Sequence, residues 1–389
     1  DLTVSATPIW TASTFMNPTT LNPASGTAPW TTRRILTFHD GLQANGSADS
    51  TTNGRQGVDF LATNSSGTDV FSTNFSARQQ GFLNTDPGSL TADGLGADRV
   101  DYIRGDNSNE GTNGHSWRIR TTSSLGDFIN SSPIYVRFPS TTDIPVADLT
   151  TFKTYVTNVK SRTPMLYVGG NDGMLHAFNA SDASDDGVTA AAATTNSGKE
   201  LLAFVPSAVY SRLNQLTWPS YSHKYYVDGT PVVADAQLSS PGCDIASDAN
   251  KCWRTVITGG LGAGGQGIYA LNATDPSSYA SGTAKSLVFW EFTDRDDADL
   301  GYTFGLPIVR KMNNGKWAVI FGNGYNNTVS DGVVSSTGRA YLYILYLDGP
   351  GFAGTGRGNT WVLGTDYHKI ELKDPNEGTG TIPSGPTDN

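Results

Sequence analysis

Short apolar runs, each bounded by glycine, proline or polar turn residues, follow one another along most of the chain, and from about residue 131 they repeat. Three segments open with a small residue and a proline: SSPIYVRF with Pro133, DGTPVVADA with Pro231 and FGLPIVRKM with Pro307. Each is followed by an apolar run that ends in glycines (PMLYVGG, RTVITGG, WAVIFGNG) and then by a third run (MLHAFNA, GIYALNA, RAYLYILYL). Because such runs between turn residues are typical of strands, the pattern predicts three copies of a three-stranded antiparallel unit.

Repeated antiparallel units of this size are typical of a β-propeller, in which sheets are arranged as blades around an axis. We therefore expect an all-β fold, with quinoprotein-like propeller blades over residues 131–389. A closed ring needs about four to eight blades, so we expect a propeller that is incomplete at the C-terminus or completed by residues 1–130. That N-terminal region is rich in turn residues, which predicts an irregular, loop-rich β segment leading into the propeller or completing it.

Two segments between the repeat strands have helical periodicity instead. In VADLTTFKTYVTNV the apolar residues that share one face are Leu149, Phe152, Val156 and Val159. PSAVYSRLNQL shows the same spacing, and Ser207 is a candidate N-cap for it. We expect both segments to form short helical insertions between blade strands.

Composition and charge narrow the class of protein. The 389 residues are rich in Gly, Ser, Thr, Asn and Asp, as in loop-rich β proteins. A formal net charge of −10 argues against nucleic acid as a partner, since no basic stripe is available, and is suited to keeping an extracellular β protein soluble. No apolar run approaches the ~18–20 residues of a transmembrane helix. The abrupt start without a signal peptide suggests a processed or truncated form.

The two cysteines, Cys243 and Cys252, are separated by eight residues in a polar stretch. This spacing suits a disulfide that closes a loop, whereas a zinc site with CxxC spacing is not present. A disulfide would place the protein in an oxidising compartment, although two free thiols remain the alternative.

An acidic stretch, EFTDRDDADLGY, brings four carboxylates together in sequence: Asp294, Asp296, Asp297 and Asp299. Calcium prefers several oxygen ligands from one flexible loop, so these residues are candidate calcium ligands. The stretch does not have the glycine and the distal glutamate of an EF-hand loop, and a solvated acidic turn is the alternative. Calcium is the only cofactor that the sequence suggests.

An RGD tripeptide occupies Arg104, Gly105 and Asp106. If it lies at a loop tip, its guanidinium and carboxylate form a candidate receptor-binding motif of the integrin type. The alternative is a structural Arg–Asp pair.

Catalytic patterns are largely missing. GAGGQG at 262–267 satisfies GxGxxG, but a β-like run follows it where a dinucleotide site needs a helix. We interpret these glycines, and those of GGNDG at 169–173, as residues that permit the positive φ of tight turns. His176 lies within a repeat strand and is interpreted as a buried core histidine. We therefore expect no enzyme.

Three motifs in order carry a family resemblance: YVGGNDGMLHAF, YSHKYYVDGTPVVAD and DLGYTFGLPIVRKMNNGKWAVIFGNGYNN. They resemble the propeller of the PilY/PilC family of type IV pilus tip-associated adhesins and biogenesis factors. VDYIRGDNSNE followed by SSLGDFINSSPIYV resembles the segment that leads into that propeller. The resemblance covers roughly residues 95–350.

The resemblance implies a bacterial protein at the pilus tip or the cell surface, outside the cell and associated with the outer membrane. It implies minor pilins and the pilus tip complex as partners, with roles in supporting assembly against retraction and in adhesion to a surface or host receptor. Some members carry an RGD that aligns with Arg104–Asp106. The calcium loop and the von Willebrand A-like region of the family have no counterpart in this chain.

Two other functions stay open. Quinone-dependent oxidoreductases also use propellers, although they often carry a vicinal disulfide, unlike Cys243 and Cys252. A carbohydrate-binding propeller would need Trp218, Trp290 or Trp361 exposed on one rim.

Overall fold

The computed structural model of the chain describes residues 8, 10–48, 54–139, 144–182, 196–238, 252–325, 333–350 and 360–372. Their strands form one six-stranded sheet and two four-stranded sheets. In chain order the strands are β1 (Ile35–His39), β2 (Gln56–Asp59), β3 (Ile134–Val136), β4 (Met165–Gly169), β5 (Leu175–Asn179), β6 (Glu200–Val205), β7 (Val232–Gln237), β8 (Trp253–Gly260), β9 (Gly267–Asn272), β10 (Val288–Thr293), β11 (Ile308–Lys311), β12 (Trp317–Gly322), β13 (Tyr341–Tyr346) and β14 (Tyr367–Glu371).

The predicted repeat is present. In each copy the first, second and third strands pair antiparallel with their neighbours in sequence, as β3-β4-β5, β7-β8-β9 and β11-β12-β13. Each first strand begins directly after the repeat proline. Proline has no N–H to donate to a ladder, so it is well placed where the chain enters a strand.

The sequence did not predict the fourth strand that completes each sheet. β6, β10 and β14 each pair antiparallel with the third strand of their copy. The insertion between the third and fourth strands is 20 residues long in the first and third copies (180–199 and 347–366) and 15 in the second (273–287), so the fourth strands do not recur at one spacing. Each copy is therefore a four-stranded meander rather than a three-stranded one.

The N-terminal segment adds two strands to the first sheet. β1 pairs parallel with β6, with Ile35 opposite Ala203, and β2 pairs antiparallel with β1 at the sheet edge. The α-helices of this segment are α1 (Ser13–Met16), α2 (Pro18–Leu21), α3 (Phe71–Asn74), α4 (Ala77–Leu83) and α5 (Gly96–Arg104). Trp10 packs against Phe178 of β5, so the segment also covers one face of the first sheet.

The helical insertions lie between repeat strands, as predicted. They comprise α6 (Leu149–Val159), α7 (Tyr210–Leu213) and α8 (Ala284–Leu287), with 3₁₀ turns at Ser207–Val209 and Asn214–Thr217 on either side of α7. Phe152 and Val159 of α6 are buried as their spacing predicts, and Tyr155 is buried with them. Ser207 is not an N-cap, because its hydroxyl donates to the buried carboxylate of Glu291.

Apolar side chains form two cores. One joins the N-terminal segment, the first sheet and part of the second sheet. The other lies between the second and third sheets and includes α6, with an edge-to-face contact between Trp253 and Trp317 (centroids 5.9 Å apart, planes at 70°). The sheets are thus packed face to face in chain order.

Two repeat glycines allow one backbone to approach another. A Cβ at Gly169, the end of β4, would lie 2.2 Å from the carbonyl oxygen of Val227, and one at Gly260, the end of β8, would lie 2.4 Å from that of Thr303. Of the turn glycines predicted to have a positive φ, Gly173 (96°) and Gly262 (56°) have one. Glycine is therefore needed at the ends of β4 and β8 because the chain entering the next sheet passes against them.

Candidate functional site

The first strands of the three sheets lie side by side and line a cavity of about 330 Å³. We call it the axial groove and define it by Tyr135 of β3 and Arg137 just after it, Val233 and Asp235 of β7, and Ile308 and Arg310 of β11. Tyr135 and Ile308 are 53% and 52% exposed, so each presents apolar surface to the groove. Alternation along each strand turns these residues into the groove while their neighbours, such as Val136 and Val309, are buried.

The groove combines apolar surface with arginine. The guanidinium of Arg137 lies 4.3 Å from the ring centroid of Phe138, and Arg162 donates to the hydroxyl of Thr255 and to the carbonyl of Arg137. Exposed apolar and arginine side chains are typical of binding surfaces. The groove is therefore chemically suited to holding another molecule.

A buried ionic network lies on the face of the first sheet that the N-terminal segment covers. His176 of β5 is completely buried; its Nδ1 is 2.7 Å from Glu200 Oε1 and its Nε2 is 3.0 Å from Asp172 Oδ1. Glu200 also accepts two hydrogen bonds from the guanidinium of Arg33, at 2.7 and 2.9 Å. The core position predicted for His176 is thus correct, but the network around it was not predicted from the sequence.

The charge state of His176 follows from its partners. Ionised carboxylates can only accept hydrogen bonds, so both ring nitrogens of His176 must donate and the ring is an imidazolium. Burial lowers the pKa of His176, but Asp172 and Glu200 outweigh it and raise the pKa to about 9. Burial raises the pKa of Glu200, whereas Arg33 and His176 together hold it well below its usual range. The network fastens Arg33 of the N-terminal segment to the first sheet.

Glu291 of β10 is a second buried group outside the predictions. Burial raises its pKa to about 8, although hydrogen bonds from Ser207 and the nearby guanidinium of Arg55 lower it. Glu291 and Ser207 are 2% and 5% exposed. This carboxyl group accepts hydrogen bonds from the backbone N–H and the hydroxyl of Ser207, so it acts inside the structure and not on a substrate.

The four candidate calcium ligands do not converge on one point. Asp296 pairs with Arg55 of the N-terminal segment, whereas Asp297 and Asp299 both contact Lys369 of β14, each with an oxygen 2.7 Å from Nζ. Asp294 accepts from the backbone N–H of Val333. Within the described part of the chain, no group of three or more His, Cys, Asp or Glu residues is placed to hold a metal ion.

These carboxylates are mostly buried, so the cluster is not the solvated acidic turn that the sequence leaves as the alternative. The side chains of Asp296 and Asp297 are 3% and 6% exposed. Burial raises the pKa of Asp299, but hydrogen bonds from Lys369, Ser335 and Thr337 lower it below its ordinary value. Through these contacts the segment after β10 is joined to β14 by Lys369 and to the N-terminal segment by Arg55.

The RGD tripeptide is not displayed at a loop tip. Arg104 ends α5, is 2% exposed, and donates to four backbone carbonyls, those of Phe60 (2.9 Å), Trp30 (3.2 Å), Thr31 (3.0 Å) and Arg33 (3.1 Å). Burial lowers its pKa to about 10. Gly105 has a φ of +123° at the helix end, and Asp106 accepts from Ser108. The structure thus makes Arg104 a structural residue, and the predicted Arg–Asp pair is replaced by an arginine bonded to backbone.

The remaining sequence candidates have simple outcomes. Cys252 is buried, whereas Cys243 lies outside the described residues, so the Cys243–Cys252 disulfide stays a prediction. Trp290 and Trp361 are not on a rim, because they pack edge to face in the core with centroids 5.2 Å apart. Trp218 is half-buried. No helix in the described ranges is long and apolar enough to cross a membrane.

Comparison with known proteins gives a consistent result. The family model of the PilY1 β-propeller domain matches residues 125–356, which is more than half of the chain. The type IV pilus biogenesis factor PilY1 of Pseudomonas aeruginosa strain PAK is 40% identical over 259 residues, covering 65% of this chain and 19% of that protein. A PilY1 homologue of Xylella fastidiosa is 35% identical over 255 residues, covering 65% of this chain and 18% of its own.

A solved structure is also similar. The crystal structure of the Pseudomonas aeruginosa PilY1 C-terminal domain is 30% identical, with a TM-score of 0.40, over 63% of this chain and 38% of that chain. The chain spans about a fifth of the length of the full relatives. The matched residues 125–356 run from before β3 to beyond β13, so the family match confirms the β-propeller predicted from the repeat.

Proposed function

Because the chain belongs to the PilY1 β-propeller family, we propose that it acts in the biogenesis of type IV pili as a non-enzymatic binding module. The observation that carries this proposal is the 40% identity to a protein named as a type IV pilus biogenesis factor. That identity extends over 259 residues, which is about two thirds of this chain. Such a likeness over a whole region supports a shared role better than any single motif does.

The structure supports binding rather than catalysis. The axial groove presents Tyr135, Val233 and Ile308 beside arginines, a combination that favours contact with another molecule. The buried ionisable groups His176 and Glu291 have protein partners and hold elements of the chain together. Neither group is placed to reach a substrate, since each is at most 2% exposed.

We further propose that the protein works outside the cell, at the pilus tip or the bacterial surface. There it would associate with minor pilins and the tip complex, support pilus assembly against retraction, and contribute to attachment to a surface or host receptor. The net charge of −10 is compatible with a solvent-facing position of this kind. Attachment would not use Arg104, because its guanidinium is committed to backbone carbonyls.

The test is deletion of the codons for residues 125–356 from the full-length gene in the source bacterium. We expect fewer surface pili in sheared fractions and a smaller twitching zone, both restored when the intact gene is returned. The same deletion in a strain that cannot retract its pili distinguishes a role in assembling pili from a role in opposing their retraction. If surface pili return in that strain, the module acts against retraction. Unchanged piliation, twitching and attachment in the deletion strain would overturn the proposal.

The sequence suggests calcium binding at Asp294, Asp296, Asp297 and Asp299, but the ion pairs that Asp296, Asp297 and Asp299 form disfavour it, and a separate experiment tests it. A bound cation stabilises the folded state by mass action, so a chelator would lower the melting temperature if calcium is held there. Because Lys369 already pairs with Asp297 and Asp299, we expect EDTA to leave the melting temperature unchanged. A lower melting temperature that calcium restores and Asp294→Asn abolishes would establish the site.

A further inference from the structure

A second cavity, of about 360 Å³, lies away from the axial groove. It is bounded by a loop of the N-terminal segment, by the turn between β4 and β5, and by the segment before β7. We call it the polar groove and define it by residues 118, 120–127, 171–172, 221 and 223. Its volume is within the usual range of small-molecule sites, which is about 300–1,000 Å³.

Asn171 lines this groove, and its side-chain amide carries a donor whose orientation is fixed. Its Oδ1 accepts from the backbone N–H of Tyr226 at 3.1 Å, which determines the orientation of the amide. Nδ2 is buried and has no hydrogen-bond partner among the described atoms, although Asn171 is only 4% exposed. A buried amide without a partner costs about 1–3 kcal/mol, so an acceptor in the groove would stabilise it.

Ser124 provides a second group of the same kind. Its backbone N–H donates to the carbonyl of Met16 at 2.8 Å, which fixes the residue in the groove wall. Its hydroxyl is buried and also without a partner in the described structure, and the residue is 5% exposed. A hydroxyl can both donate and accept. Two residues from distant parts of the chain, both lining this groove, thus each have a buried polar atom with unused hydrogen-bonding capacity.

The charges that line the groove cancel. Arg118 and Arg120 are balanced by Asp127 and Asp172, and most of these groups are engaged: Arg120 with Glu110, Asp172 with His176, and Asp127 with His223 at 2.9 Å. The guanidinium of Arg118 lies 4.4 Å from the ring centroid of Tyr221. An uncharged ligand is therefore favoured over an ion, and the stacked Arg118–Tyr221 pair adds a flat wall.

The remaining lining is rich in hydroxyl groups. Thr121, Thr122 and Ser123 stand beside Ser124, and Leu125 is the aliphatic side chain among the described residues of the wall. A ligand that is mostly apolar would gain little here. A ligand whose hydroxyls both donate and accept would match the fixed amide donor, the carboxylates and the serine and threonine hydroxyls together.

From these contacts we propose that the polar groove binds a neutral saccharide. The Asn171 amide donates to a sugar oxygen, Ser124 bonds a neighbouring hydroxyl, and the wall formed by Arg118 and Tyr221 contacts the sugar ring. The tryptophans considered from the sequence take no part in it. The proposal does not depend on a role in pili, because binding is measured on the chain itself.

The test uses the full chain and a panel of methyl glycosides of glucose, mannose, galactose and N-acetylglucosamine, with glucuronic acid and glucosamine as charged comparators. Saturation-transfer NMR detects binding and isothermal titration measures Kd. We expect at least one neutral glycoside to bind, and to bind more tightly than either charged sugar. No binding by any neutral glycoside, as when ordered water satisfies the groove, would overturn the proposal. Preferred binding of a charged sugar would do the same.

Two variants locate the site. Asn171→Asp keeps the acceptor for Tyr226 and removes the donor, so we expect the affinity to fall more than about 10-fold, as for loss of a fixed hydrogen bond in a buried site. Ser124→Ala removes a hydroxyl with no protein partner, so the fold should be unaffected while affinity falls about 2–10-fold.

Thr258→Val is the matched control, because Thr258 of β8 also carries a buried hydroxyl without a partner in the described structure and lies outside the groove. Thr258→Val should bind the sugar as the unaltered chain does. If Ser124→Ala and Asn171→Asp also bind with unchanged Kd, the sugar binds elsewhere and the proposal is wrong.

Discussion

Arg104 is the residue at which the sequence and the structure give different functions for the same motif. Its guanidinium donates to backbone carbonyls before β1 and directly after β2, including those of Trp30 and Phe60. Replacement by alanine would leave several buried acceptors without a donor, each of which costs about 1–3 kcal/mol. We therefore expect Arg104→Ala to lower the free energy of unfolding by about 3 kcal/mol or more, measured by urea denaturation.

The neighbouring Asp106 is the control for this variant. It is half-buried and accepts hydrogen bonds from Ser108 within the same turn. Asp106→Ala should therefore cost about 1 kcal/mol or less, as for a surface turn. A receptor-binding tripeptide would behave differently: Arg104→Ala would then reduce attachment to cells with no change in unfolding.

The network around His176 predicts a pH dependence of stability. The folded pKa of about 9 lies above the ordinary value of 6.5, so the stabilisation is fully present below about pH 6.5 and is lost as the pH rises through 9. The difference between the folded and the ordinary pKa of His176 corresponds to about 3 kcal/mol of unfolding free energy. We expect the gap in unfolding free energy between the unaltered chain and His176→Asn to narrow by roughly 2–3 kcal/mol between pH 6.5 and 9.

His223→Asn is the control for the pH experiment. His223 also contacts a carboxylate, that of Asp127, but its side chain is 40% exposed. Exposed ion pairs contribute about 0–1 kcal/mol, so this variant should differ little from the unaltered chain at any pH. A gap for His176→Asn that stays constant over the same pH range would show that the ring is not charged in the folded state.

Side-chain partners explain why the site could be predicted only in part. The sequence shows that Asp294–Asp299 is acidic and that His176 lies in an apolar strand. It does not show that Arg55 or Lys369 would reach the same place from 241 and 72 residues away. A cluster of carboxylates therefore resembles a metal site until its distant cations are known.

At the scale of the strand, the glycines at the ends of second strands offer a direct comparison. A Cβ at Gly169 would lie 2.2 Å from the carbonyl oxygen of Val227, whereas nothing lies within 4 Å of one at Gly322, the end of β12. Backbone cannot move aside as a side-chain end can, so we expect Gly169→Ala to cost about 3 kcal/mol of unfolding free energy.

Gly322→Ala is the matched control and should be neutral, or stabilising by about 0.4–1 kcal/mol through the unfolded chain. Thermal unfolding of both variants gives the two midpoints to compare. Equal midpoints for Gly169→Ala and Gly322→Ala would mean that the sheets do not need this close approach between their backbones.

The sequence repeat predicts some strands of each sheet and misses others. The first three strands of each copy were predicted because proline, glycine and apolar runs recur in the same order. The fourth strands β6 and β10 are also apolar, but their distance from the third strand varies, and β14 (YHKIE) is half polar. Periodicity within one strand cannot show which strand it will pair with.

At the scale of the molecule, the N-terminal segment is part of the first sheet. It contributes β1 and β2, the Arg33 pair with Glu200, and apolar residues such as Phe38 and Phe60 to the shared core. We expect a fragment of residues 125–389 to lose cooperative unfolding, because β6 loses its neighbour and one face of the sheet is uncovered. Near-UV circular dichroism and limited proteolysis against the full chain measure this.

A fragment that unfolds cooperatively at the midpoint of the full chain would contradict this expectation. It would show that residues 1–124 form a separate unit. The fragment is a fair comparison because it keeps every residue that the family model matches.

The parallel pair β1–β6 also has a consequence for the order of events during synthesis. Thr37 of β1 donates to the carbonyl of Val205, 168 residues later in the chain. At roughly 5–20 residues per second, a ribosome takes about ten to thirty seconds to cover that distance. For all of that time the edge of β1 that β6 covers in the folded chain has no partner, and an unpaired strand edge is the kind of surface that associates with other chains. Nascent chains of this protein should therefore need a chaperone most between the emergence of His39 and that of Val205.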